Sequence, residues 1–214
     1  MTEAEWLASA NPRELLKSLG KRVSRRKARL FAVACCRRAW RLLTDSRTQH
    51  ALELTEQFAD GLVTKKQLAP AHQEATAAIN GNRGWFTLPE HAALGVFCAA
   101  STSRDVVGGA IDAAQYVAFA LGELPSASHV HADLVRDIFG NPFRPAVFSS
   151  AWCTDTAVAL ARQMYESRDF SAMPILSDAL QDARCDNCDI LDHCRGPGPH
   201  VRGCWVVDFV LGKE

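Results

Sequence analysis

Helix-start signals punctuate this chain and strand signals are scarce, and that contrast limits its fold more than any other feature. Thr2-Glu3-Ala4-Glu5 and Thr64-Lys65-Lys66-Gln67 read as capping boxes, in which a threonine and a Glu or Gln three residues on satisfy two orphan N–H groups. Asn11-Pro12-Arg13-Glu14 offers a capping side chain and a proline suited to the first helical position, and Thr87-Leu88-Pro89-Glu90 opens another helix. Behind these starts, apolar residues recur at helical spacing: Leu15, Leu16 and Leu19, then Phe31, Cys35, Ala39 and Leu42, then Ala51, Leu54 and Phe58. Alternating β-branched runs with a hairpin turn between them are missing. Val206–Leu211 has strand-like composition, but Val201, Trp205, Phe209 and Val210 fit one helical face, which favours a helix.

These readings predict an all-α, single-domain irregular bundle of nine or ten short helices over residues 1–214. The one weak candidate boundary is the loop Gly122–Ser128. Expected helices include Ser24 to Leu43, His129 to Phe139, Asp155 to Ser167, Ser171 to Arg184, Asp186 to Arg195 and Val201 to Leu211. Gly81-Asn82-Arg83-Gly84 reads as a loop. Gly108-Gly109 reads as a kink or break within an alanine-rich stretch.

Nearly half of the residues are apolar, enough for a real core. No apolar run reaches the roughly 18–20 residues of a membrane span, and the first residues lack the pattern of a secretory signal. The expected location is therefore the cytoplasm, with the eight cysteines reduced. Cys35, Cys36, Cys98 and Cys153 suit the role of small buried hydrophobes.

Net charge is zero but unevenly spread. Between Lys17 and Arg47 stand eleven basic residues and a single acid, Asp45. Arg37, Arg38 and Arg41 lie together on one side of the expected helix. Such a segment can grip phosphates, which makes nucleic acid a candidate partner; it can equally dock on the acidic remainder of the chain. No helix-turn-helix or other reader motif accompanies it.

The C-terminal region gathers Cys185, Cys188, His193, Cys194, His200 and Cys204. Cys185-x-x-Cys188 has the spacing that lets two thiolates share a tetrahedral zinc, with a second pair from His193 or Cys194 and His200 or Cys204, His193 and Cys204 being the set preferred. The competing reading is buried or idle thiols. Two proline-restricted loops, Gly140–Pro145 and Gly196–His200, bring Arg144, Arg195, His200 and Arg202 forward as candidates for an anion or partner site. A nucleophile elbow, a phosphate-cradling glycine loop, a His-Glu-x-x-His helix and a dinucleotide fingerprint are all missing.

Arg29–Arg38 with Trp40 and Leu42–Asp45, Arg136–Pro145 and His193–Asp208 resemble a family of helical planctomycete proteins, some of whose members carry a label linking them to the SMI1/KNR4 family. The resemblance implies a bacterial, cytoplasmic protein and brings no catalytic residues with it. The expected function is a non-enzymatic interaction or scaffold module with a protein partner. The alternatives are a nucleic-acid-binding protein using residues 17–47 and a zinc-stabilised helical domain.

Overall fold

A computed structural model describes residues 1–79, 86–124 and 128–213. The expected loop Gly81–Gly84 and residues 125–127 of the expected linker lie outside the described residues. Among the described residues there are twelve α-helices and no strand. They are α1 (Glu3–Ala8), α2 (Pro12–Leu19), α3 (Arg25–Arg38), α4 (Ser46–Ala59), α5 (Lys65–Ala78), α6 (Leu88–Ala100), α7 (Val106–Ala120), α8 (His129–Phe139), α9 (Asp155–Ser167), α10 (Met173–Asp182), α11 (Cys188–Arg195) and α12 (Trp205–Leu211). The protein is an all-α irregular bundle, and among the described residues no helix is long and apolar enough to cross a membrane.

The start signals act as their chemistry requires. Thr2 N–H donates to Glu5 at 2.7 Å, Thr64 N–H to Gln67 Oε1 at 2.8 Å, and Thr87 N–H to Glu90 at 2.7 Å. Asn11 Oδ1 accepts from the N–H groups of Arg13 and Glu14.

Several boundaries differ from expectation, among them α10, expected over Ser171 to Arg184 and observed over Met173–Asp182. The helix from Ser24 stops at Arg38, and a 3-10 turn over Trp40–Leu42 follows. The break expected at Gly108-Gly109 falls earlier, at 101–105, because Asp105 caps α7 by accepting from Gly108 N–H at 2.8 Å. Asn187 rather than Asp186 caps α11. The last helix begins at Trp205 instead of Val201.

The chain groups into two contact-dense units, Met1–Val135 and Arg136–Glu214. In the first, α3 is the central helix, and every residue from Ala28 to Cys36 is buried. It packs against α4, α6 and α7, where Ala92, Val96, Ala99, Ala113 and Val117 are buried and small enough to let the helices approach. In the second, Ala161, Met164, Leu176, Leu180, Ile190, Val206 and Val210 form one buried cluster. The helices α11 and α12 have eight and seven residues, too short to persist alone. Packing against α9 and α10 holds them in place. All eight cysteines are free thiols.

Candidate metal centre

Three pieces of the second unit deliver polar side chains to one point. Asp137 projects from α8 and His193 from the last turn of α11. His200 and Cys204 lie on the connection that ends at the N-cap of α12. The connection turns sharply at Gly198, whose φ is +79° and whose missing Cβ would stand 3.0 Å from the His200 nitrogen. Gly140, with φ +67°, follows α8; a Cβ there would meet the Trp205 indole at 3.3 Å. That indole lies 5.1 Å from the His193 ring and closes one side of the cluster. Cys204 is the N-cap residue of α12, and its sulfur lies on the side of the histidines.

The four ligand-type atoms of Asp137, His193, His200 and Cys204 all lie within 4.8 Å of one another. His200 Nδ1 is 2.9 Å from Asp137 Oδ1, and His193 Nε2 is 3.2 Å from the same oxygen. His193 Nε2 is also 3.2 Å from the Cys204 sulfur. The second carboxylate oxygen accepts the Val201 N–H at 3.0 Å, which fixes the orientation of the group. Asp137 is 3% exposed and Cys204 fully buried.

Burial raises the Asp137 pKa, but the hydrogen bonds from His193 and His200 outweigh it and hold the carboxyl below its usual range. Burial pushes the Cys204 thiol well above its usual value, with the charge of Asp137 adding to it, against the pull of the Val207 and Val206 backbone N–H groups.

As a hydrogen-bond network the cluster is oversubscribed. An imidazole nitrogen carries either one hydrogen or one lone pair, yet His193 Nε2 faces both a carboxylate oxygen and a sulfur at 3.2 Å. His200 Nε2 is buried with no partner among the described residues. One carboxylate, two imidazoles and one thiolate suit a tetrahedral zinc. Zinc bonds of about 2.0–2.3 Å imply ligand separations of roughly 3.3–3.8 Å at the tetrahedral angle. The observed 2.9–3.2 Å contacts need to open by only a few tenths of an ångström.

The cluster is unsuited to nucleophilic catalysis. A cysteine–histidine–aspartate triad uses opposite ring nitrogens for the nucleophile and the carboxylate, whereas here both face Nε2. A fully buried sulfur also has no substrate beside it.

Of the expected ligands, His193 and Cys204 meet here. Cys185 is buried and Cys188 exposed, and neither is part of the four-residue group. Cys188 sits at the first position of α11, with its sulfur 4.0 Å from the Asp186 carbonyl. His200, a candidate both for the second ligand pair and for an anion site, faces the Asp137 carboxylate. Asp137 was missed because a lone aspartate on a helix is usually solvated. Its register held a signal: it lies three residues beyond Leu134 and beside Ile138, on the buried stripe of α8.

The other expected site residues do not assemble. Arg202 donates to the carbonyls of Tyr165 at 2.5 Å and Glu166 at 3.1 Å, closing the C-terminal end of α9. Arg195 donates to Gln181 at 2.5 Å and Asp178 at 3.3 Å. Arg144 is exposed and stands 3.8 Å from Asp189. In the first unit Arg37 forms a forked pair with the buried Glu56, Arg38 pairs with Glu123, and Arg41 is exposed. Comparison with known protein families, with curated proteins and with solved structures gives no match.

Proposed function

We propose that Arg136–Glu214 is a zinc-structured helical module, and that the protein works by binding a partner protein rather than by catalysing a reaction. The observation that carries this reading is the convergence of Asp137, His193, His200 and Cys204, whose ligand-type atoms lie within 4.8 Å of one another. Four protein ligands fill a tetrahedral shell and leave no position for water or substrate, the arrangement of structural zinc sites rather than catalytic ones. The metal would tie the end of α11 and the start of α12 to α8, joining short helices that packing alone holds weakly. Zinc needs the Cys204 thiolate reduced, which suits a cytoplasmic setting.

The test is thermal unfolding of the purified chain, as isolated, after exhaustive chelation and after zinc is returned. Chelation is expected to lower the melting temperature, zinc to restore it and magnesium to leave it low. Identical melting curves in all four states would overturn the proposal.

A further inference from the structure

A second polar site lies in the first unit, independent of the metal centre. Arg25, Arg26, Arg29 and Lys65 line one cavity of about 390 Å³ together with Phe58, Ala59, Thr102 and Ser103. That volume lies within the range of small-molecule sites, and Phe58 is the one aromatic residue in its lining.

The charges there are poorly answered from within the protein. Arg26 pairs with Asp60 at 3.0 Å. Arg29 is 5% exposed, and one nitrogen, Nη1, donates to the carbonyls of Ala99 and Ser101, each at 2.9 Å. Its guanidinium lies over the Phe58 ring at 4.9 Å. Its Nε and Nη2 make no hydrogen bond among the described residues, which leaves donors of a largely buried cation at the cavity. Burial lowers the Arg29 pKa and the neighbouring charge of Arg25 lowers it further, the mark of like charges left together.

Helix direction adds to the excess. Arg25 and Arg26 occupy the first turn of α3, and Lys65 is the first residue of α5; neither first turn contains an acid. Helix N-termini carry positive partial charge and favour anions, so cations there are unfavourable unless an anion answers them.

We infer that this cavity binds the phosphate group of a small phosphorylated molecule. Arg25 and Lys65, both exposed, reach it from the rim. Arg29 supplies donors from the floor, and the hydroxyls of Thr102 and Ser103 complete the polar wall. The Phe58 face is already covered by Arg29, so recognition is through phosphate and not through a stacked base. The concave shape suits a compact ligand and not a duplex.

The test is calorimetric titration of the full chain as purified with inorganic phosphate and with pyrophosphate at matched ionic strength. The expected result is one saturable site per chain. Arg25→Ala with Lys65→Ala should weaken it about tenfold or more, the scale of one lost charge-assisted hydrogen bond. Lys17→Ala with Lys21→Ala removes the same charge elsewhere and should leave affinity unchanged, and Arg25→Lys with Lys65→Arg should retain binding. A lack of saturable binding to either compound would overturn the inference. So would equal weakening in both alanine pairs, or binding of a single-stranded oligonucleotide by a chain that takes up neither phosphate compound.

Discussion

Glu56 in the first unit and Asp137 in the second are both carboxylates removed from water, each side chain 2% exposed, yet their surroundings differ in kind. Glu56 meets the Arg37 guanidinium, with Nε 3.2 Å from one oxygen and Nη2 2.9 Å from the other. Two donors face two acceptors in parallel, and the contact closes on itself. Asp137 meets two imidazoles at a single oxygen, one of which also touches a thiol. Imidazole and thiol groups lend lone pairs as readily as hydrogens, so that contact leaves several lone pairs aimed at one region. An arginine completes a buried carboxylate, whereas histidines and a cysteine around one prepare it for a cation.

The largest expected effect follows from removing the cation. Cys204→Ala should abolish the zinc-dependent part of stability, about 4 kcal/mol where free zinc is a thousandfold above its dissociation constant. Chelator titrations of wild type and variant, followed by helical circular dichroism, measure the difference. If Cys204→Ala keeps a full zinc response, the contrast between the two carboxylates fails.

Arg37→Ala should cost about 3 kcal/mol, because it removes the forked charge partner of the buried Glu56 carboxylate, and the loss should be the same with and without zinc. Urea unfolding under both conditions checks it. A zinc-dependent loss would mean that the two sites are not separate.

A third buried polar group has no carboxylate bonded to it. His131 is fully buried and, among the described residues, neither ring nitrogen has a hydrogen-bond partner. Burial, with the charge of Arg38 adding and Glu123 opposing, lowers its pKa to about 4 from 6.5. The unfolded chain therefore takes up a proton below pH 6.5 that the folded chain refuses until about pH 4. Stability from this group is complete above pH 6.5 and declines as pH falls towards 4, by on the order of 3 kcal/mol in all. His131→Leu should remove that share of the acid sensitivity, which paired pH-dependent unfolding curves would reveal. Superimposable slopes for the two proteins would refute it.

The smallest effect is expected at Cys188, which is exposed. Cys188→Ser should change stability by less than about 0.5 kcal/mol and leave the zinc response intact. A variant that lost the response would return Cys188 to the ligand set.

The all-α fold was legible because capping and periodicity are local. Thr2, Asn11, Thr64 and Thr87 each announce a helix within four residues. Boundaries were less legible where two signals compete. Asp105 outbids the adjacent glycines for the start of α7, and the turns around Gly198 and Gly203 postpone α12 to Trp205. The candidate metal site was legible in part. His193, His200 and Cys204 stood out as ligand types, and Cys185-x-x-Cys188 drew attention away from Asp137 because sequence spacing shows only neighbours along the chain. Asp137 lies 56 residues before His193, and only the fold brings them together. The basic segment was visible as charge, but sequence could not separate Arg37 and Arg38, which the fold pairs with acids, from Arg25 and Arg29, which it leaves at a cavity.

The most direct test of the account is the metal content of the purified chain and of four single variants, by elemental analysis after gel filtration. The account predicts one zinc per chain in the wild type, in Cys185→Ser and in Cys188→Ser, and essentially none in His193→Ala and Cys204→Ala. Metal-free wild-type protein that gains neither zinc nor stability on reconstitution would contradict it, as would zinc that leaves with Cys185 or Cys188 and stays without Cys204.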